Sequence, residues 1–155
     1  MIMEWSNDEF GEAGSQLLLP LFEGTGKAPN NALSGLSRSQ RSLVREAISS
    51  DDFEGKKGQR MVVWTPGCRV ILLGMGDKGE FGHRKSRNIG ARVMSSLSKK
   101  NGTGLTVRFT SGWSSDRTLD FTHGMMLTAY ALLAHHAGDA TPPSPRCAAP
   151  PPTPP

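Results

Sequence analysis

The chain has 155 residues, enough for one domain of ordinary size, and its hydrophobic content of 36% is low for a compact domain. The shortfall lies at the two ends, so the folded part is expected to be shorter than the chain. A net charge of +4 favours solubility without demanding a nucleic-acid partner, and the longest apolar stretch, Met125 to Ala134, is too short to span a bilayer.

Residues 1–15 carry Glu4, Asp8, Glu9 and Glu12 and predict a loose N-terminal arm without a targeting segment. Gln16 to Phe22 (QLLLPLF) suits a buried strand, and Pro20 predicts an edge position or a bulge. Residues 23–31 form a Gly/Pro/Asn loop. A helix is expected from Ser37 to Ser49. Ser37 and Gln40 have the spacing of a capping box, and Leu36, Leu43, Val44, Ala47 and Ile48 share one face.

Met61-Val-Val-Trp64 and Val70-Ile-Leu-Leu73 are continuous apolar runs joined by Thr65-Pro-Gly-Cys68, which predicts a hairpin whose strands are covered on both faces. A second helix is expected over 84–100, with Ile89, Val93, Met94 and Leu97 buried, Lys99 and Lys100 at its negative end and Asn101-Gly102 as its C-cap. Leu105 to Phe109 alternates as a strand with one wetter face. A third helix over 116–136 takes Ser114, Ser115 or Asp116 as its cap, with Leu119, Met126, Tyr130 and Leu133 marking the buried face, widened by Met125 and Leu132. Gly124 is expected to allow close packing on the sheet. From Asp139 the composition changes to DATPPSPRCAAPPPTPP, which predicts a disordered or polyproline-like tail.

The order β-α-β-β-α-β-α predicts an α/β three-layer sandwich, a mixed sheet with helices on both faces. The expected organisation is an arm (1–15), a folded domain (16–138) and the proline-rich tail (139–155).

The motifs with chemical potential are sparse. Gly74-Met-Gly-Asp-Lys-Gly79 fits GxGxxG after a strand, but Glu80-Phe-Gly-His83 intervenes before the helix. No acid lies between Phe81 and Asp116 to hold a ribose. Its glycines are read as relieving crowding at a strand end. There is no Gly-Lys-Ser/Thr and no GxSxG. His83, His123, His135 and His136 have no metal-ligand spacing, and Cys68 and Cys147 are read as reduced thiols of a cytosolic protein. Asp51, Asp52 and Glu54 form the densest acidic cluster, read as solvated. Arg84, Lys85, Arg87, Arg92, Lys99 and Lys100 give the second helix a basic face.

An ordered set of segments carries a family resemblance. Leu18-Leu-Pro-Leu-Phe-Glu-Gly24, Phe53-Glu-Gly-Lys56, Arg69-Val-Ile-Leu-Leu-Gly-Met-Gly76, and Gly124 to Leu133 with Ala129-Tyr130 resemble the N-terminal domain of leucyl (cytosol) aminopeptidases. The last segment is similar to the family's E-G-x-x-L-x-x-Y helix, with His123 where an acid is frequent. The resemblance implies a macro-domain-like fold and a cytoplasmic location. It also implies either a homo-oligomer or the aminopeptidase catalytic domain as partner.

A complete family member uses two divalent metals, zinc or manganese, held by carboxylates of a catalytic domain with an N-T-D-A-E-G-R motif. That motif is absent here and the proline-rich tail stands in its place. The expectation is therefore an accessory or assembly domain, or a truncated product, with no catalytic, cofactor-binding or metal-binding residue and no cofactor in this chain. Three alternatives stand beside it. One is a macro-like module binding a nucleotide or ADP-ribose, another is a DNA-binding accessory domain, and the last is a self-contained peptidase.

Overall fold

The computed structural model describes residues 15–24, 32–97, 105–110 and 112–137. The expected arm before residue 15, the proline-rich tail, and the segment containing Lys99, Lys100 and the Asn101-Gly102 cap lie outside them, as do the side chains of Leu97, Leu133, His135 and His136. The elements are β1 (Ser15–Leu21), α1 (Arg38–Ser50), β2 (Arg60–Thr65), β3 (Cys68–Gly74), α2 (His83–Leu97), β4 (Leu105–Val107) and α3 (Ser115–Ala137). The sheet order is β2-β3-β1-β4, with β1 parallel to both neighbours and β2 antiparallel to β3. This is the expected mixed sheet.

The period-two alternation of β1 and β3 splits the interior into two cores. Leu17, Leu19, Leu21, Val70 and Leu72 face Val44 and Ile48 of α1. Leu18 and Ile71 face the other way, onto Val93 and Met94 of α2 and Phe121 and Met125 of α3. Helices on both faces make three layers. They also explain why these strands are apolar at every position, since each side chain is worth about 1.5–3 kcal/mol when buried.

Pro20 does not mark an edge, because β1 is central. The ladder to β4 covers only Gln16 to Leu18 and is extended by the Arg108 amide to the Leu18 carbonyl. Residues 18 and 20 direct their backbone polar groups to the same side, so the donor that proline lacks would have pointed past the end of that short ladder. The Pro20 carbonyl is satisfied by the Trp113 indole N–H at 3.0 Å.

Strand β2 is fully covered on one face and partly on the other, where Val62 is half-buried against the second core. Met61, Val63 and Thr65 are buried while Trp64 stands in solvent, with the Arg69 guanidinium 5.0 Å from its ring centre.

The capping box of α1 forms. The Gln40 amide donates to Ser37 Oγ at 3.2 Å, and the Ser37 amide donates to Gln40 Oε1 at 2.8 Å. Val44 and Ile48 are the buried residues of α1, and Leu43, expected beside them, is exposed. Ser37→Ala is expected to cost about 1 kcal/mol, read as a lower midpoint in urea at unchanged slope.

For α3 the face assignment is corrected. Phe121, Met125 and Ala129 are buried, whereas Leu119, Met126 and Tyr130 are exposed. Ser114 supplies the cap, with its Oγ 3.4 Å from the Arg117 amide. Gly124 packs against α2 and not against the sheet. A Cβ there would fall on the Arg87 carbonyl oxygen, and a Cβ at Gly90 would fall on the Phe121 carbonyl oxygen. The two helices therefore cross backbone to backbone.

Candidate functional site: a cleft at the strand ends

The chain leaves β1 for α1 on one face of the sheet and leaves β3 for α2 on the other. Adjacent parallel strands whose crossovers diverge open a crevice at their carboxyl ends, the usual place for a ligand in an open α/β sheet. A cleft of about 420 Å³ lies there. Met75, Phe81 and Ile89 form its apolar part. Its acids are Glu23 after β1 and Asp77 and Glu80 after β3, and its bases are Lys57, Lys85 and Arg92. Glu23, Lys57 and Arg92 were legible only as residues near strand ends and on a helix face. Nothing in their spacing joined them.

The glycine loop that shapes this cleft has most of its donors committed. The Gly74 amide donates to the Gln59 carbonyl at 2.7 Å, Met75 to Leu21 at 2.8 Å and Gly76 to Gly55 at 2.9 Å. Gly79 donates to Asp77 Oδ1 at 2.5 Å, so this amide too is committed within the loop. The glycines answer to crowding. A Cβ at Gly74 would collide with the Lys56 carbonyl, and Gly55, at φ +78°, lies so close to Phe22 that a Cβ would stand 2.6 Å from its carbonyl oxygen.

Of the remaining acids, some are held by neighbours and some stand in solvent. Glu54 pairs with Lys56. Asp51 and Asp52 are exposed at the end of α1, Asp51 as its C-cap. The basic face of α2 is partly neutralised: Lys85 lies 3.9 Å from Glu80, and Arg87 donates to Asp120 Oδ1 at 2.9 Å. Asp120 Oδ2 faces His83 Nδ1 at 2.5 Å, so His83 ties the start of α2 to α3.

Among the described residues no group of three or more His, Cys, Asp or Glu is placed to hold a metal ion. The described carboxylates are dispersed, and those of Glu54, Asp77, Glu80 and Asp120 face cations or an amide, so this donor set does not fit a pair of divalent metals. Cys68 is buried beneath α1, where desolvation raises its thiol above the ordinary range. That keeps it protonated and chemically quiet.

The hydrogen bond from His83, and then that from Arg87, hold the Asp120 carboxyl below its usual range. Its folded value lies under the unfolded one, so its contribution is complete above the unfolded pKa and is lost as pH falls through the folded value. Thermal melts of the parent should therefore drop more steeply than those of Asp120→Asn as pH is lowered from 5 through the carboxylate range. Parallel curves would show that the cluster contributes nothing.

Residues 18–134 match the model of the cytosol aminopeptidase family, N-terminal domain. A probable cytosol aminopeptidase of Alkaliphilus oremlandii (strain OhILAs) is 28% identical over 82 residues, 50% of this chain and 16% of that protein. Another from Alkaliphilus metalliredigens (strain QYMF) is 36% identical over 56 residues, 34% of this chain and 11% of that protein. A solved mutant of tomato leucine aminopeptidase shares the fold at TM-score 0.57 and 20% identity, covering 81% of this chain and 29% of its own. The chain thus corresponds to under a third of the length of these proteins. With the family match running from β1 into the last turns of α3, the chain belongs to the cytosol aminopeptidase family and carries its N-terminal domain.

Proposed function

We propose that this chain acts as a non-catalytic accessory and assembly domain of a cytoplasmic aminopeptidase. In this reading, metal-dependent release of N-terminal residues is carried by a partner or by further sequence of the family's catalytic type. One observation carries the reading: the family match coincides with a fold whose described carboxylates are dispersed, no three of them grouped to hold a metal ion. Two-metal hydrolysis needs carboxylates converging on ions roughly 3.5–4 Å apart.

The test is an assay of the purified 155-residue chain on leucine p-nitroanilide with manganese or zinc. No turnover is expected. Turnover that scales with the chain and is lost on chelation would overturn the reading.

The cleft at the ends of β1 and β3 favours a second reading, a small module binding a nucleotide or ADP-ribose. Against it stand the committed amides of the glycine loop. Calorimetric titration with ADP-ribose separates the two, since saturable heat would support the module and its absence at millimolar ligand would remove it.

A further inference from the structure

The cleft at the ends of β1 and β3 holds charged groups that are already partnered beside others that are not. Asp77 accepts from the Gly79 amide, and Glu80 lies 3.9 Å from Lys85. Glu23, Lys57 and Arg92 line the same cleft, and none of them has an ion-pair partner among the described residues. Lys56, whose ammonium feels Glu23, is taken by Glu54. Glu23 and Lys57 both stand beside Gly76, at the strand ends: the Glu23 amide donates to the Gly76 carbonyl at 2.9 Å, and a Cβ on Gly76 would lie 3.0 Å from Lys57 Cβ. Arg92 comes from α2, two turns beyond Lys85. The apolar part of the lining is Met75 and Phe81, both buried, with half-buried Ile89.

We propose that this cleft binds a small zwitterion with an apolar body, namely an apolar amino acid or dipeptide. Its ammonium sits on Glu23, its carboxylate on Arg92 and Lys57, and its side chain on Met75, Phe81 and Ile89. A guanidinium suits a carboxylate because its N–H groups can meet both oxygens at once.

Charge selects this occupant. The groups without a partner carry both signs, so a simple anion leaves Glu23 unanswered and a simple cation leaves Lys57 and Arg92 unanswered. Size agrees, since about 420 Å³ falls within the roughly 300–1,000 Å³ of small-molecule clefts. A docking protein surface fits less well, because the cores of protein interfaces are depleted in Lys, Glu and Asp, and all three types line this cleft. The phosphates of a nucleotide would meet the carboxylates of Glu23, Asp77 and Glu80, and the loop amides that could offset them are committed. The inference does not rest on the accessory role: an inactive chain can bind a zwitterion, and an active one can fail to.

The test is chemical-shift mapping by NMR on the isotope-labelled 155-residue chain, titrated separately with leucine and with leucyl-leucine. Saturable shifts at the Gly76 and Ile89 amides are expected, with a dissociation constant of about 0.1–1 mM for a small ligand in an open, solvent-screened cleft. The tighter of the two ligands tells whether the cleft takes the free amino acid or the peptide. N-acetyl-leucine lacks the ammonium, leucinamide lacks the carboxylate and glycylglycine lacks the apolar body, so each should bind at least about fivefold more weakly. Glu23→Gln and Arg92→Gln should each weaken leucyl-leucine by a similar factor at unchanged melting temperature, because both side chains are exposed. No saturable shift with either zwitterion, shifts confined to other parts of the domain, or binding indifferent to acetylation and to both substitutions would overturn the proposal. So would ADP-ribose moving the same amides at lower concentration than either zwitterion, which would assign the cleft to nucleotides.

Discussion

Gly90→Ala and Gly124→Ala are each expected to destabilise the domain by about 2–3 kcal/mol net, a loss of roughly 10 °C in melting temperature. Helix propensity points the other way, because alanine within a helix is favoured over glycine by about 1 kcal/mol. The sign of the measured change therefore decides between the two effects. Packing wins here because the colliding atoms are backbone: the Phe121 carbonyl for residue 90 and the Arg87 carbonyl for residue 124. A backbone carbonyl cannot swing aside as a side-chain tip can, so one helix must lift from the other. Lifting would pull Phe121 and Met125 away from Val93 and Met94. A chemical-denaturation midpoint equal to or above that of the parent would show that the helices separate freely.

Phe121→Ala should have the largest effect, about 3–5 kcal/mol, against a total of 5–15 kcal/mol for an ordinary domain. The ring is fully buried. It meets Phe109 and Trp113 edge to face, with ring centres 5.5 Å from each. Trp113 in turn contacts Phe22 and Phe81 at 5.2 and 5.4 Å, so one truncation opens a void beside the hub of a five-ring cluster. The rings come from the residue after β1, the loop before α2, the segment after β4, and α3. No local rearrangement can bring atoms from all of these to fill the space. Phe121→Leu, which keeps most of the volume, should cost clearly less. Equal losses for the two variants in urea titrations would mean that ring geometry, and not volume, is what the site requires.

The elements were readable because the local signals agree with one another. Ser37 and Gln40 open α1 where the apolar period starts, and Thr65-Pro-Gly-Cys68 turns the hairpin where the two runs meet. Several readings fail for physical reasons. Pro20 was read by the rule for regular ladders, but β4 is too short to use the donor that proline lacks. Trp64 is expected to be buried because apolar content does not reveal that β2 is an edge strand whose second face is partly open. In α3 apolar residues surround the helix, so periodicity alone could not say which stripe turns inward. Gly124 held the answer, since a glycine amid helix formers marks the side of closest approach, here with Met125 and Phe121 flanking it.

The cleft was hidden for another reason. Its lining joins Glu23 to Arg92, residues brought together only by the parallel pairing of β1 with β3 and the crossover of α2. Helical spacing and strand alternation describe neighbours along the chain and carry no information about that pairing.

The indole of Trp113, bonded to Pro20 and wedged among four phenylalanines, gives the domain its own optical reporter. Trp64, already wetted in the native state, should emit at long wavelength before and after denaturation. In a Trp5→Phe background, a red shift of intrinsic fluorescence during unfolding should thus register the moment at which the layer of α2 and α3 parts from the sheet.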